Sequence, residues 1–138
     1  MNAKTKTIFY LARMHEYTSD ILEICKKYHN NYDIITTELV SKHAINMCIV
    51  QLGEHANQIK RTDTALYSST CLHQVKGMRD RIVHSYGNID YHIVREVLKD
   101  GIPELHKMIE RMVPGSLMNN PYILYEIEFE DYKDNDEQ

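Results

Sequence analysis

The chain has 138 residues and a formal net charge of −4, with 43% hydrophobic and 26% charged residues but only five glycines and three prolines. That is enough chain for one domain with its own core, and it excludes collagen-like, disordered and linker-dominated proteins. The scarcity of turn-formers argues against an all-β sandwich, and no apolar run approaches the ~20 residues of a membrane span.

The charge is unevenly spread. Residues 126–138 hold seven acids and one base, a net −6, which leaves 15 bases and 13 acids, or +2, on the preceding 125. A mildly basic body allows an RNA-facing patch without demanding one, and the acidic end reads as a solvated segment. Three cysteines, Cys25, Cys48 and Cys71, are too few and odd in number for a disulfide framework. They suit reduced thiols in the cytoplasm, and Met1–Lys6 is not followed by a signal-peptide core.

Apolar residues at three- and four-residue spacing take in Ile8, Leu11, Ala12, Leu22 and Cys25. They predict an amphipathic helix over about 5–29. A polar break at Asn30–Asp33 precedes a second helix over about 34–60, with Val40, Ala44, Met47, Cys48, Leu52, Ala56 and Ile59 inward. Residues 62–69 read as a loop. Leu72, Val75, Met78, Ile82 and Val83 set a third helix that ends near His84. Gly87–Asn88 is a turn signal and Asp90 an N-cap for a fourth helix. Gly101 and Pro103 predict a kink or restart in that helix, which runs on to Pro114–Gly115. Four helices with short links predict an antiparallel bundle. After Pro121 the period changes to two, and Ile123, Tyr125, Ile127 and Phe129 predict an extended segment.

Eight histidines raise the question of a metal, but no His-x-x-x-His or Glu-x-x-His pair occurs. No metal or cofactor is expected, and no phosphate loop or nucleophile elbow is present. One stretch differs: Gly77-Met78-Arg79-Asp80-Arg81-Ile82-Val83-His84-Ser85-Tyr86-Gly87 crowds ionisable groups at a helix end. Asp80 and His84 are i and i+4, so a carboxylate there can orient the imidazole. Arg79 and His84 are five apart, about 140° around an ideal helix. Either the helix end distorts or a second protomer completes a shared site. The plainer alternative is a charged helix end, with His84 at the negative dipole terminus and Arg79 paired to an acid.

Arg79-x4-His84-x-Tyr86 resembles the signature of the HEPN superfamily, and more narrowly of the HepT-like toxin ribonucleases. Ala44–Ala56, ending in Gly53-Glu54-His55-Ala56, is similar to the family's second-helix pattern, and Asp90–Ile109 to its fourth. The resemblance spans about residues 5–113. It implies an all-α, HEPN-like bundle of four to five helices over residues 1–116, followed by an acidic extended segment over 117–138. It further implies a homodimeric, metal-independent endoribonuclease acting on tRNA or mRNA. Such a toxin belongs to a type VII toxin–antitoxin pair and is silenced by AMP transfer from a nucleotidyltransferase antitoxin. Carried over, Arg79 and His84 are the catalytic pair, Asp80 and Glu54 support them, and Tyr86 accepts AMP. Two features depart from the family: Ser69–His73 replaces its Pro-x-x-x-Trp stretch, and Asp80 stands where Asn is common. Glu54 is open to two readings, a surface charge or an orienting partner of Arg79. Gly53 beside it implies close helix packing, because a helix-interior glycine costs ~1 kcal/mol relative to alanine. A non-catalytic helical partner that helps a nucleotidyltransferase hold its substrate or nucleotide is the alternative to the enzyme.

Overall fold

The computed structural model describes residues 1–125, which form eight α-helices. These are α1 (Ala3–Lys27), α2 (Tyr32–Ile35), α3 (Leu39–Thr62), α4 (Thr64–Ser69), α5 (Leu72–His84), α6 (Tyr91–Glu96), α7 (Ile102–Met112) and α8 (Gly115–Asn119). The all-α bundle expected from the periodicity is present. α3 lies at its centre, packed against α1 on one side and α5 on the other, and α7 closes on α1. Leu11, Met14 and Ile21 of α1 meet Ile45, Ile49, Leu52 and Ile59 of α3 in one core that also takes in Ile82, Leu105 and Ile109.

Local chemistry sets the helix ends. The Asn2 side chain accepts from the Thr5 N–H at 2.8 Å, and Asp90 accepts from the His92 N–H at 3.0 Å, as its position in the sequence predicts. α1 ends in a Schellman arrangement: the Asn30 N–H bonds the Cys25 carbonyl and the His29 N–H that of Lys26. His29 and Asn30 take φ values of 53° and 58° to do so.

Four expectations are corrected. Val40 and Met47 are 73% and 60% exposed, not inward. The buried stripe of α3 instead runs through Ser41, Ile45, Asn46, Ile49, Leu52, Gly53, Ala56 and Ile59. Two polar residues belong to it because each finds a partner: Ser41 donates to the Ile35 carbonyl at 2.8 Å and Asn46 to the Tyr91 hydroxyl at 3.1 Å. A reading by hydrophobicity passes over them and rotates the face. The expected start of the second helix near 34 is replaced by short α2 and a separate start at Leu39. The expected loop at 62–69 is largely α4, because Asp63 accepts from the Leu66 N–H at 3.0 Å and so nucleates a turn. Ile123–Tyr125 form a helical turn rather than an extended strand, with the Tyr125 N–H bonded to the Tyr122 carbonyl at 3.0 Å. Tyr122 and Tyr125 set their rings against Phe9 at 5.5 and 4.9 Å, and that contact holds the turn. The rest of the alternating segment, Ile127 and Phe129 included, lies outside the described residues.

The interruption predicted at Gly101 and Pro103 takes a specific form. Val97–Gly101 is a π-helical segment, with the Ile102 N–H reaching back five residues to the Val97 carbonyl. Pro103 has no N–H to continue the α-helical ladder, and the extra residue in the turn absorbs its ring. α6 and α7 therefore run on through this segment.

His55 of α3 sets a pH dependence. It sits beside the rings of Tyr10 and Tyr17, and its Nδ1 bonds the Gln51 carbonyl at 2.7 Å. Burial lowers its pKa below 6.5, and nearby Arg13 adds to this; the Gln51 carbonyl, Glu54 and Glu16 oppose. The unfolded chain therefore binds a proton at this residue before the folded chain does. Stability should fall as the pH drops through about 6.5 and level off below the folded value. Urea unfolding between pH 7.5 and 5.5 should show a shallower loss for His55→Gln than for the parent protein. An equal slope for the two proteins would show that His55 is not the cause.

Candidate functional site

The 79–86 stretch occupies the end of α5 and the turn after it. α5 stays α-helical through His84, the Ser85 N–H closes on the Arg81 carbonyl at 3.1 Å, and only then does a 3₁₀ turn form over Tyr86–Asn88. The helix end does not distort before His84. Of the two ways to bring Arg79 and His84 to one ligand, distortion within the chain is therefore absent.

Arg79 is the most constrained residue of the group. Its helix crosses α3 at Gly53, where a methyl group would lie 2.1 Å from the Arg79 Cβ and 2.6 Å from its Cγ. Gly53 is thus required for close approach, as expected, and the contact it permits is with Arg79 itself. From this crossing the guanidinium reaches two carboxylates. Nη2 forms a close ion pair with Glu54, and Nη1 donates to Asp80 Oδ1 at 2.9 Å. Of the two readings of Glu54, the structure gives the orienting contact. One N–H on each of Nη1 and Nη2 remains beyond these two bonds, a pair suited to phosphate oxygens. The Nε N–H is buried without a partner among the described residues.

Asp80 does not pair with His84, as the i, i+4 spacing had suggested. Its carboxylate is taken by Lys76 Nζ at 2.5 Å and by Arg79. The hydrogen bond from Lys76, joined by that from Arg79, holds the Asp80 carboxyl below its ordinary range against the opposing effect of burial. Lys76 was not among the predicted residues, although Lys76-x-x-x-Asp80 carries the spacing of a helical ion pair. It offsets the negative charge that Asp80 adds beside Arg79, so Glu54, Lys76, Arg79 and Asp80 together are neutral.

His84 is exposed in the last turn of α5, and its ring has no hydrogen bond or ion pair to the described residues. Tyr86 is half-exposed. Its hydroxyl is hydrogen-bonded to Nδ1 of His43 on α3, and the two rings stack 5.6 Å apart at 14°. His43 stands 43 residues away in sequence, and no local pattern points to it. The cysteines are free, and burial pushes the Cys48 thiol up to about 11, away from nucleophilic use.

The stretch thus holds a fixed guanidinium, an imidazole one and a half turns on with no partner among the described residues, and a half-exposed phenol bonded to a histidine. No described helix is long and apolar enough to cross a membrane. Comparison with known proteins identifies the family. Residues 14–112 match the family model described as ribonuclease HepT-like. A protein of Methanocaldococcus jannaschii, provisionally named an RNase, is 29% identical over 104 residues, covering 75% of this chain and 84% of its own. A second from that organism, also provisionally named an RNase, is 28% identical over 104 residues, covering 75% and 88%. A third, from Caldanaerobacter subterraneus subsp. tengcongensis and named in the same way, is 27% identical over 62 residues, covering 45% and 55%. No solved structure matches significantly. With the family match laid over an all-α bundle and most of its length, the chain belongs to the HepT-like ribonuclease family, an endoribonuclease by class.

Proposed function

We propose that this ribonuclease is the toxin of a toxin–antitoxin pair and cleaves RNA at a site that two protomers share. The observation that carries the reading is the regular end of α5, which leaves Arg79 and His84 on different faces of one chain while fixing the first and freeing the second. In a dimer that apposes two copies of this helix end, each scissile phosphate meets an arginine and a histidine of suitable aspect. RNA carries its own nucleophile. One His84 takes the 2′-hydroxyl proton, the 2′-oxygen bonds to phosphorus, and the 5′-oxygen leaves with a proton from the second His84. Arg79 neutralises charge on the phosphoryl oxygens. The expected product is a 2′,3′-cyclic phosphate. Both carboxylates beside Arg79 are paired to cations, Asp80 through both of its oxygens, which disfavours Mg²⁺ there. The exposed apolar residues Val40 and Met47, about one turn to either side of His43 on α3, and Val83 on α5 supply a surface for the second protomer.

Tyr86 is the regulatory position in this reading. Its phenol oxygen attacks the α-phosphorus of ATP held by the antitoxin, pyrophosphate leaves, and His43 is placed to accept the phenol proton. The AMP group then adds bulk and negative charge beside His84 and competes for Arg79.

The test is made on the purified full chain with end-labelled tRNA and mRNA fragments in EDTA. Cleavage to cyclic-phosphate ends is expected, with a dimer in sedimentation at micromolar concentration. Co-expression with a cognate nucleotidyltransferase antitoxin should add one or more AMP masses to the Tyr86 peptide and stop cleavage. Cleavage that needs added Mg²⁺, or full activity from a monomer, would overturn the mechanism. Silencing of Tyr86→Phe with no mass shift would overturn the acceptor role alone.

A further inference from the structure

We propose that His15, His106 and Glu110 form a binding site for one first-row divalent transition ion, of the Zn²⁺ or Co²⁺ kind, that ties α1 to α7. One ligand atom from each of the three lies within 4.8 Å of the other two. His106 and Glu110 are i and i+4 on α7, with Nε2 and Oε1 3.1 Å apart. His15 comes from α1 and puts its Nε2 4.0 Å from Oε2 of the same carboxylate. The imidazoles lie face to face, 4.6 Å between centroids and 21° between planes. Ligands around a tetrahedral zinc at 2.0–2.1 Å stand about 3.3 Å from one another. To meet that requirement the His15 ring must turn out of its stack on His106.

The hydrogen bonds of Thr18 put a proton on Nδ1 of His106. The Thr18 hydroxyl has one proton and donates it to the His15 carbonyl at 3.1 Å. Its oxygen then accepts from Nδ1–H of His106 at 2.8 Å. In the neutral ring this leaves Nε2 with a bare lone pair 3.1 Å from a carboxylate oxygen, a repulsive contact that a cation between them turns attractive. Thr18 is wholly buried and holds this orientation, the role that outer-shell partners play at metal-bound histidines.

His15 supplies the second observation. Its Nε2 is buried and has no hydrogen-bond partner among the described residues. With a proton there the donor is unsatisfied, and without one the lone pair is, so either tautomer leaves the atom unpaired. Two nitrogens and one carboxylate favour Zn²⁺, Co²⁺ or Ni²⁺ over Mg²⁺ and Ca²⁺. The histidine side chains are 20% and 18% exposed and Glu110 is 49% exposed, so the carboxylate side is open to entry and to a completing water. No local motif reveals the site, because His15 and His106 belong to opposite ends of the described chain.

The full chain, stripped with chelator and exchanged into chelator-free buffer, is titrated with Co²⁺ and followed by its visible absorption and by thermal melting with Zn²⁺. The expected result is one equivalent bound with the intense bands of four- or five-coordinate Co²⁺, and a Zn²⁺-dependent rise in Tm. Glu110→Gln and His15→Gln should each bind at least tenfold more weakly and lose the rise. His92→Gln, which breaks the exposed His92–Glu96 pair on α6, should behave as the parent protein does. Glu110 is half-exposed, so its variant keeps the fold and decides the matter if His15→Gln does not fold. Absence of the bands, bands unchanged in Glu110→Gln, or bands lost in His92→Gln would overturn the site.

Discussion

Replacing His84 by alanine is expected to reduce RNA cleavage by about 10²–10⁴-fold, the usual contribution of a positioned general acid–base. The melting transition should stay within about 0.5 kcal/mol of the parent, because His84 is exposed and has no partner among the described residues. The separation of these two effects is the point of the experiment. If the 79–86 stretch were only a charged helix end, cleavage would survive the substitution. The chain would then have lost no more than a modest interaction between an imidazole and the helix terminus. Arg79→Ala is a poorer probe, since it also empties the crossing with Gly53 and strands Glu54. Initial rates on a labelled fragment, read beside a thermal melt of the same preparation, decide between the readings. Undiminished cleavage by His84→Ala would remove it from the mechanism.

Gly53→Ala should do the opposite and damage fold and activity together. The added methyl would sit 2.1 Å from the Arg79 Cβ and 3.3 Å from the Val75 carbonyl, so α5 must move off α3. Overpacking of this kind costs about 1–3 kcal/mol. The same shift displaces the guanidinium, and a misplacement near 1 Å is enough for a loss of about 10²-fold in rate. Gly77, inside α5, is the control, because a methyl added there would meet nothing within 4 Å. Gly77→Ala should stabilise the chain by about 0.5–1 kcal/mol through helix propensity and leave cleavage unchanged. Denaturant unfolding and RNA cleavage of the two variants check this directly. A Gly53→Ala protein as stable and as active as the parent would mean that the close crossing has no role in the site.

The helices themselves were legible from local pattern. α1, α3, α5 and the α6–α7 run follow from apolar spacing, and Asp90 from capping chemistry, because hydrogen bonds within a helix and the burial of one face are short-range matters. The candidate residues Arg79, His84 and Tyr86 were legible too, as a motif on one helix end. What sequence alone could not supply is what faces what. The choice of α3 face depended on whether Ser41 and Asn46 would find partners, and those partners are Ile35 on the preceding segment and Tyr91 on α6. Whether Asp80 would hold His84 or Arg79 depended on where the α3–α5 crossing put the guanidinium, and Gly53 sets that distance. The contact of His43 with Tyr86 and the gathering of His15 with His106 and Glu110 likewise join residues far apart in the chain. Periodicity assigns each side chain to a face of its own helix; only the packing of one helix on another brings two such faces together, as it does at each of these junctions.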